Sequence, residues 1–145
     1  MQFYLQNFLT YRLSLLTNTV SQGIAAAYRD RFGISVTEWR ILAVLGRFPG
    51  LTASEVMERT AMDKVTVSRA VKAMMEKKLL TRTTDSEDRR RRQLRLTDDK
   101  GRLVLEKIVP RARAFEDHLL EALDSSEVAS LNAIIEKLQQ QAQGI

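Results

Sequence analysis

Three times the sequence writes the same punctuation, a Ser, Thr or Asp with a Glu three positions later: Ser35/Glu38, Thr52/Glu55 and Asp124/Glu127. In such a box the first side chain accepts from the backbone N–H three residues on. The Glu accepts in return from the N–H of the first residue, so each box predicts a helix start. The helices that follow are "VTEWRILAVLGRF", halted by Pro49-Gly50, then the short "ASEVMERT", and near the end "SSEVASLNAIIEKLQQQ". Two further starts need no box. Asp63 can cap "KVTVSRAVKAMMEKK", and Thr97 can cap a long helix, "DDKGRLVLEKIVPRARAFEDHLLEAL". In the long helix Asp98 and Asp99 suit the positive end, and Pro110 should introduce a kink. An apolar N-terminal helix precedes them all.

One stretch resists a helical reading. "LLTRTT" and "QLRLT" alternate apolar or threonine positions with basic ones, Leu94 and Leu96 against Gln93 and Arg95, as a half-buried strand should. Between them lies Asp85 to Arg92, with four consecutive arginines. The expected order is four helices, a β-hairpin and two helices. The arginines are therefore held in a hairpin loop.

Charge is localised in the same region. Residues 63–97 carry 11 Lys+Arg against 5 Asp+Glu, whereas the rest of the chain has 12 against 13. A basic excess confined to one segment is the electrostatic footprint of a polyanion partner, though a solubilising face has the same composition. The chain has no cysteine, which excludes disulfides, thiolate catalysis and cysteine-based redox sensing. Its single histidine, His118, argues against a metal site and reads as an incidental helix residue. Neither a nucleophile–base pair nor a phosphate-cradling glycine loop is evident, so neither catalysis nor a cofactor is expected. No apolar run reaches a membrane span, and "MQFYLQNFLTYR" lacks the basic start of a signal peptide. The expected location is the cytoplasm.

On a helical wheel, "DKVTVSRAVKAMMEKK" places Val67, Ala70, Val71, Met74 and Met75 on one side. Ser68, Arg69, Lys72 and Glu76 fall on the other, with Lys64 flanking. A short capped helix precedes it across "AMD". Two short helices and a tight turn, the second bearing polar and basic residues outward, form a helix-turn-helix whose second helix enters the DNA major groove. Arginine can bond guanine twice, serine and threonine can bond several bases, and lysine supplies charge to phosphates. Alone, Arg69 and Lys72 would fit a plain solvated face equally well; the hairpin directly after them favours DNA. That hairpin reads as a wing, able to place a guanidinium in a narrow minor groove. For Arg89, Arg91 and Arg92, diffuse attraction to phosphates is the simpler expectation.

The run "LTASEVMERTAMDKVTVSRAVKAMMEKKLLTRTTDSEDRRRRQLRLTDDKG" resembles the MarR family of bacterial transcriptional regulators. The likeness lies in the helix-turn-helix, "LLTR", a "D..DRR" wing and "L.LT..G", and it extends through "VTEWRIL" and the outer helices. It implies a mainly α (α+β) winged helix-turn-helix fold with N- and C-terminal dimerisation helices. Residues 1–33 would form the N-terminal dimerisation helix, 34–97 the DNA-binding lobe, and 98–145 the long connecting helix and C-terminal dimerisation helix. The implied function is that of a homodimeric regulator, expected as a repressor, bound to a pseudopalindromic operator in double-stranded DNA. Ser68 and Arg69 match its base-reading positions. Asp88 matches the wing acid that orients an arginine two residues on, here Arg90, and residues i and i+2 of an extended segment do share a side. The DNA-contacting candidates are Lys64, Thr66, Ser68, Arg69 and Lys72 on the helix, and Arg89, Arg90, Arg91 and Arg92 on the wing. One departure stands out: "KKLL" occupies the place where many members have glycine before the strand.

The chain ends point to association. Val128, Leu131, Ile135, Leu138 and Ala142 follow a 3,4,3,4 spacing, a seam two heptads long. Phe3, Leu5, Phe8, Leu9, Leu13, Leu15, Leu16 and Val20 are too many for one core stripe, so a partner surface is expected in preference to a cap within the monomer. The resemblance further implies a small effector, often aromatic and anionic, with Tyr11, Arg12, Trp39 and Arg40 as candidate contacts. Trp39 also reads as plain core and Arg40 as an ion-pair residue. Met57, Met62, Met74 and Met75 read as core filling. Two other functions stay open on the sequence alone: a nonspecific architectural DNA binder without an effector, and a winged-helix protein-interaction module.

Overall fold

In a computed structural model of the chain, which describes residues 1–145, eight elements follow the expected order. They are α1 (Leu9–Ala25), α2 (Val36–Arg47), α3 (Ala53–Thr60), α4 (Lys64–Glu76), β1 (Leu80–Thr84), β2 (Arg92–Leu96), α5 (Gly101–Leu120) and α6 (Ser125–Gln143). The fold is mostly helical with one two-stranded antiparallel sheet. All three capping boxes form with both reciprocal hydrogen bonds. Asp63 caps α4 by accepting from the Thr66 backbone N–H at 2.8 Å and from the Thr66 hydroxyl at 2.9 Å.

The chain divides into two compact units, Met1–Pro110 and Arg111–Ile145. The core of the first joins Ile41, Leu42 and Leu45 of α2, Val56 of α3, and Val67, Ala70, Val71 and Met74 of α4. The i, i+3, i+4, i+7 spacing of the α4 set gives one apolar stripe, as predicted. Tyr28, Ile34, Leu79, Leu80, Leu94, Leu96 and Ile108 complete the core. Each Leu, Ile or Val buried this fully contributes roughly 1.5–3 kcal/mol of transfer free energy. Met74 is fully buried, while Met57, Met62 and Met75 pack at the core's margin. In the second unit α6 buries no residue, and Leu131, Ile134, Ile135 and Leu138 stand exposed.

In the hairpin, Leu80 pairs with Leu96, Arg82 with Leu94, and Thr84 with Arg92. Leu94 also exchanges backbone bonds on its other edge, donating to Leu51 O at 2.8 Å while its carbonyl accepts from Gly50 N at 3.0 Å. Gly50 needs its glycine, because its φ is +89°.

Three local readings need correction. The N-terminal segment is not one helix: a 3₁₀ turn at Leu5–Asn7 ends at an extended Phe8, whose ring packs edge-on against Phe3 at 5.4 Å. Beyond α1 the helix widens to π geometry over Ala26–Asp30, where Tyr28 is inserted into the core. The long helix begins at Gly101 and not directly after Thr97, because Thr97 is tied to the preceding turn. Its hydroxyl donates to Lys78 O at 2.8 Å and accepts from Gly101 N at 2.8 Å. Asp98–Lys100 form the intervening turn. The helix then continues through Pro110, which lies at the boundary between the two units.

Candidate nucleic-acid interface

α4 is held at both ends. Its N-terminus carries the Asp63 cap, which lowers the Asp63 pKa because the Thr66 N–H, and after it the Thr66 hydroxyl, bond the charged carboxylate. At its C-terminus Lys77 reaches across to α2. Its ammonium lies 2.9 and 3.1 Å from the two carboxylate oxygens of buried Glu38, and it donates to Gly33 O at 2.9 Å. Between these anchors Lys64, Ser68, Arg69 and Lys72 are exposed, while Thr66 is half-buried with its hydroxyl committed to Asp63.

The helix stops in a Schellman motif, with Leu79 N–H donating to Met74 O at 2.9 Å and Lys78 N–H to Met75 O at 3.0 Å. This motif wants glycine at its left-handed position. Here Lys78 fills it with φ +62°, so the departure from glycine noted in the sequence pattern falls on the left-handed residue.

The arginine loop is shaped, and its organiser is Asp85. One Asp85 oxygen accepts from Glu87 N at 2.8 Å and Asp88 N at 3.4 Å; the other accepts from Gln93 Nε2 at 3.4 Å. A backbone bond from Asp85 N to Arg91 O (2.8 Å) closes the loop, and Arg91 N to Asp88 O (3.0 Å) turns its tip. Asp88 accepts from Arg90 N at 3.0 Å and lies 3.8 Å from Arg90 Nε, so acid and arginine are paired while the Arg90 side chain is 98% exposed. Arg89 and Arg92 are exposed as well.

Arg91 differs from its neighbours. Its guanidinium lies 3.0 Å from Glu55 of α3 and 3.8 Å from Asp85, fastening the wing loop to the helix-turn-helix. Glu55 has a lowered pKa, chiefly because it accepts the Thr52 backbone N–H of the capping box, with Thr52's hydroxyl and Arg91 adding to the effect. Arg91 was expected among the arginines facing DNA; the structure gives its charge two carboxylate partners inside the protein. Neither Asp85 nor Glu55 stood out in the sequence as a wing residue. An Asx turn at Asp85-Ser86-Glu87 was the available signal for the first. The second depends on a contact 36 residues away and has no local signature.

A family model described as the MarR family matches residues 32–91, the segment running from α2 to the wing loop. A crystal structure of a MarR/EmrR family transcriptional regulator from Acinetobacter sp. ADP1 superposes with a TM-score of 0.89 at 29% identity. It covers 99% of this chain and 100% of its own. The helix-turn-helix and wing thus match the MarR family, and the whole chain matches the fold of a MarR/EmrR regulator. The HTH-type transcriptional repressor MdtR of Bacillus subtilis is 28% identical over 114 residues, 79% of this chain and 73% of MdtR. BpsR of Bordetella bronchiseptica, whose DNA binding is regulated by 6-hydroxynicotinic acid, has the same fold, with a TM-score of 0.86 at 21% identity, covering 96% of this chain and 98% of its own.

The MarR resemblance also supplied four candidate effector contacts. Trp39 is half-buried and stacks on Tyr28 with centroids 6.3 Å apart, so it serves the core margin. Tyr11 is half-buried, and Arg12 and Arg40 are exposed. A cleft of about 290 Å³ at the end of α1 is lined instead by Asn18, Ser21, Gln22, Ala25, Tyr28, Arg29 and Val36. No helix is long and apolar enough to cross a membrane.

Proposed function

We propose that this protein is a MarR-family regulator that binds a pseudopalindromic operator in double-stranded DNA as a homodimer and acts as a repressor. The observation that carries this reading is α4: capped at one end and ion-paired to α2 at the other, it leaves Ser68, Arg69 and Lys72 in solvent. Residues 34–97 form the reading lobe. Ser68 and Arg69 read base edges, Lys64 and Lys72 meet phosphates, and Arg90, steadied by Asp88, enters the minor groove between flanking contacts from Arg89 and Arg92. Thr66 and Arg91 support the surface more than they touch DNA, since each is already engaged within the protein. Self-association involves the flanking segments 1–33 and 98–145; its support is the row of exposed apolar side chains on α1 and, separately, on α6. Two recognition helices related by a two-fold would meet successive major grooves about 34 Å apart.

A small effector, aromatic and anionic, modulates DNA affinity by preferring a spacing of the reading lobes that does not fit the operator. Tyr11, Arg12, Trp39 and Arg40 are its proposed contacts. Selection of duplexes from a random-sequence library by the wild-type protein tests the main reading. The expected product is an inverted repeat whose half-sites are one helical turn apart, and Arg69→Ala should relax preference at one position of each half-site. Recovery of unrelated sequences that compete equally would refute sequence-specific binding.

A further inference from the structure

Alternation along the hairpin sends Leu80, Arg82 and Thr84 to one face of the sheet and Thr81 and Thr83 to the other. Directly opposed residues share a face, so Arg82 stands with its partner Leu94, and Arg92 with Thr84. Leu80, Leu94 and Leu96 on that face are buried, whereas Arg82 and Arg92 are exposed. The core-facing side of the wing thus ends in two cations where a half-buried strand would carry apolar groups. Those cations line a cleft of about 250 Å³ together with Arg90 and with Thr52, Ala53 and Ser54 at the start of α3.

The charges around this cleft are unevenly matched. The nearby carboxylate of Glu55 is countered by Arg91 at 3.0 Å, and the Thr52 hydroxyl is bonded to Glu55. Arg90 is paired with Asp88 only loosely, at 3.8 Å, while Arg82 and Arg92 enter none of the chain's ion pairs. The exposed Ser54 hydroxyl adds a neutral donor. Two unpaired guanidiniums and a hydroxyl around a cleft of this size fit a tetrahedral, singly charged oxyanion.

We infer that this cleft seats one backbone phosphodiester of the bound duplex, gripped by Arg82 and Arg92 from the wing and by Ser54 from α3. The inference rests on the DNA-binding reading above and adds two residues to it, Arg82 and Ser54. A duplex strand whose minor groove receives Arg90 must pass its phosphates beside the wing, and this cleft opens next to Arg90. The Arg91–Glu55 pair sets the width of the cleft by holding the wing loop to α3.

Arg95 provides an internal control. It belongs to the same hairpin and carries the same charge, but it lies on the opposite sheet face beside Thr81 and outside this cleft. Binding to the library-selected duplex is measured as log Kd against log salt for wild type, Arg82→Gln and Arg95→Gln. Arg82→Gln should flatten the slope by about 0.9 per half-site and weaken binding several-fold without changing base preference; Arg95→Gln should do neither. A scan of single neutral methylphosphonate linkages should find one position per half-site that costs wild type affinity yet costs Arg82→Gln nothing further. This scan reads the site in the unmodified protein, independent of how any variant folds.

Equal effects of Arg82→Gln and Arg95→Gln, or the absence of a linkage whose cost Arg82→Gln abolishes, would overturn the inference. So would an Arg82→Gln variant that loses affinity for inorganic phosphate but keeps the wild-type Kd for duplex, which would mark a free-anion site. If wild type selects no duplex at all, the DNA-binding reading itself falls. If it selects one and only these tests fail, the cleft alone is wrong.

Discussion

Replacing Lys77 by methionine should weaken the fold more than replacing its partner, Glu38, by glutamine. The asymmetry comes from who is left behind. The Glu38 side chain is 8% exposed and the Lys77 side chain 38%. Without the ammonium, the buried Glu38 side chain keeps only the Ser35 N–H, at 3.3 Å, as a hydrogen-bond donor. Breaking a buried ion pair from one side costs roughly 3–5 kcal/mol. Lys77's own contact with water reduces the attraction that is lost, so about 2 kcal/mol is expected for Lys77→Met. Glu38→Gln instead leaves an ammonium that can hydrate, and the amide oxygen can still accept from Ser35 N–H and from Lys77. Its cost should be about 1 kcal/mol or less. Urea unfolding followed by circular dichroism, at one fixed protein concentration because association would shift the midpoint, separates the two. With a slope near 2 kcal/mol per molar, Lys77→Met should lower the midpoint by about 1 M. A Glu38→Gln midpoint equal to or below that of Lys77→Met would refute the reasoning.

Lys78→Gly should stabilise the chain by about 0.5 kcal/mol in the same melts, because relief of the left-handed penalty at φ +62° exceeds the added freedom of the unfolded chain. Gly101→Ala should destabilise markedly, by about 2 kcal/mol or more, since a Cβ there would press on the Leu79 backbone carbonyl, which cannot move aside like a side-chain tip. Asp63 and Glu55 both have lowered pKa values in the fold, so the unfolded chain takes up their protons first. Stability should therefore hold above pH 4.5, the ordinary value for Glu55, and fall as pH drops further; Asp63→Asn should soften that fall in a pH series of melts. The double change Leu131→Asp with Ile135→Asp should shift the protein toward monomer in sedimentation analysis and cost operator affinity, without altering the slope contributed by each reading lobe.

The helix starts were legible because a capping box is written within four residues and satisfied there. The same holds for the buried stripe of α4, where Val67, Ala70, Val71 and Met74 obey a period that needs no knowledge of the neighbours. The wing was legible as a hairpin and in its Asp88–Arg90 pair, but not in its other roles. Its spacing from Asp88 set Arg90 apart, but Arg91 looked like Arg89 and Arg92, and only the folded loop separates it by turning it to Glu55. Arg82 was read only as one of the alternating basic positions, because its register against Leu94 depends on how the two strands pair. The start of the long helix was misplaced for a similar reason, since Thr97 serves Lys78 and Gly101 together. The break at Phe8 and the wide turn at Ala26–Asp30 follow from tertiary packing and had no local mark.

The two parts of the surface differ in how freely they can change. Every turn of α4 returns to the core, so a substitution at Ser68 or Arg69 sits one residue from Val67 or Ala70 and is constrained by the packing there. The loop from Asp85 to Arg91 is closed by its own backbone and Asp85 bonds, and residues 86–90 support nothing beneath them. Its tip can therefore vary in charge and length while the strand pairing stays fixed. Descendants of this chain would diversify their grip on DNA at the wing tip first and their choice of bases in α4 only later.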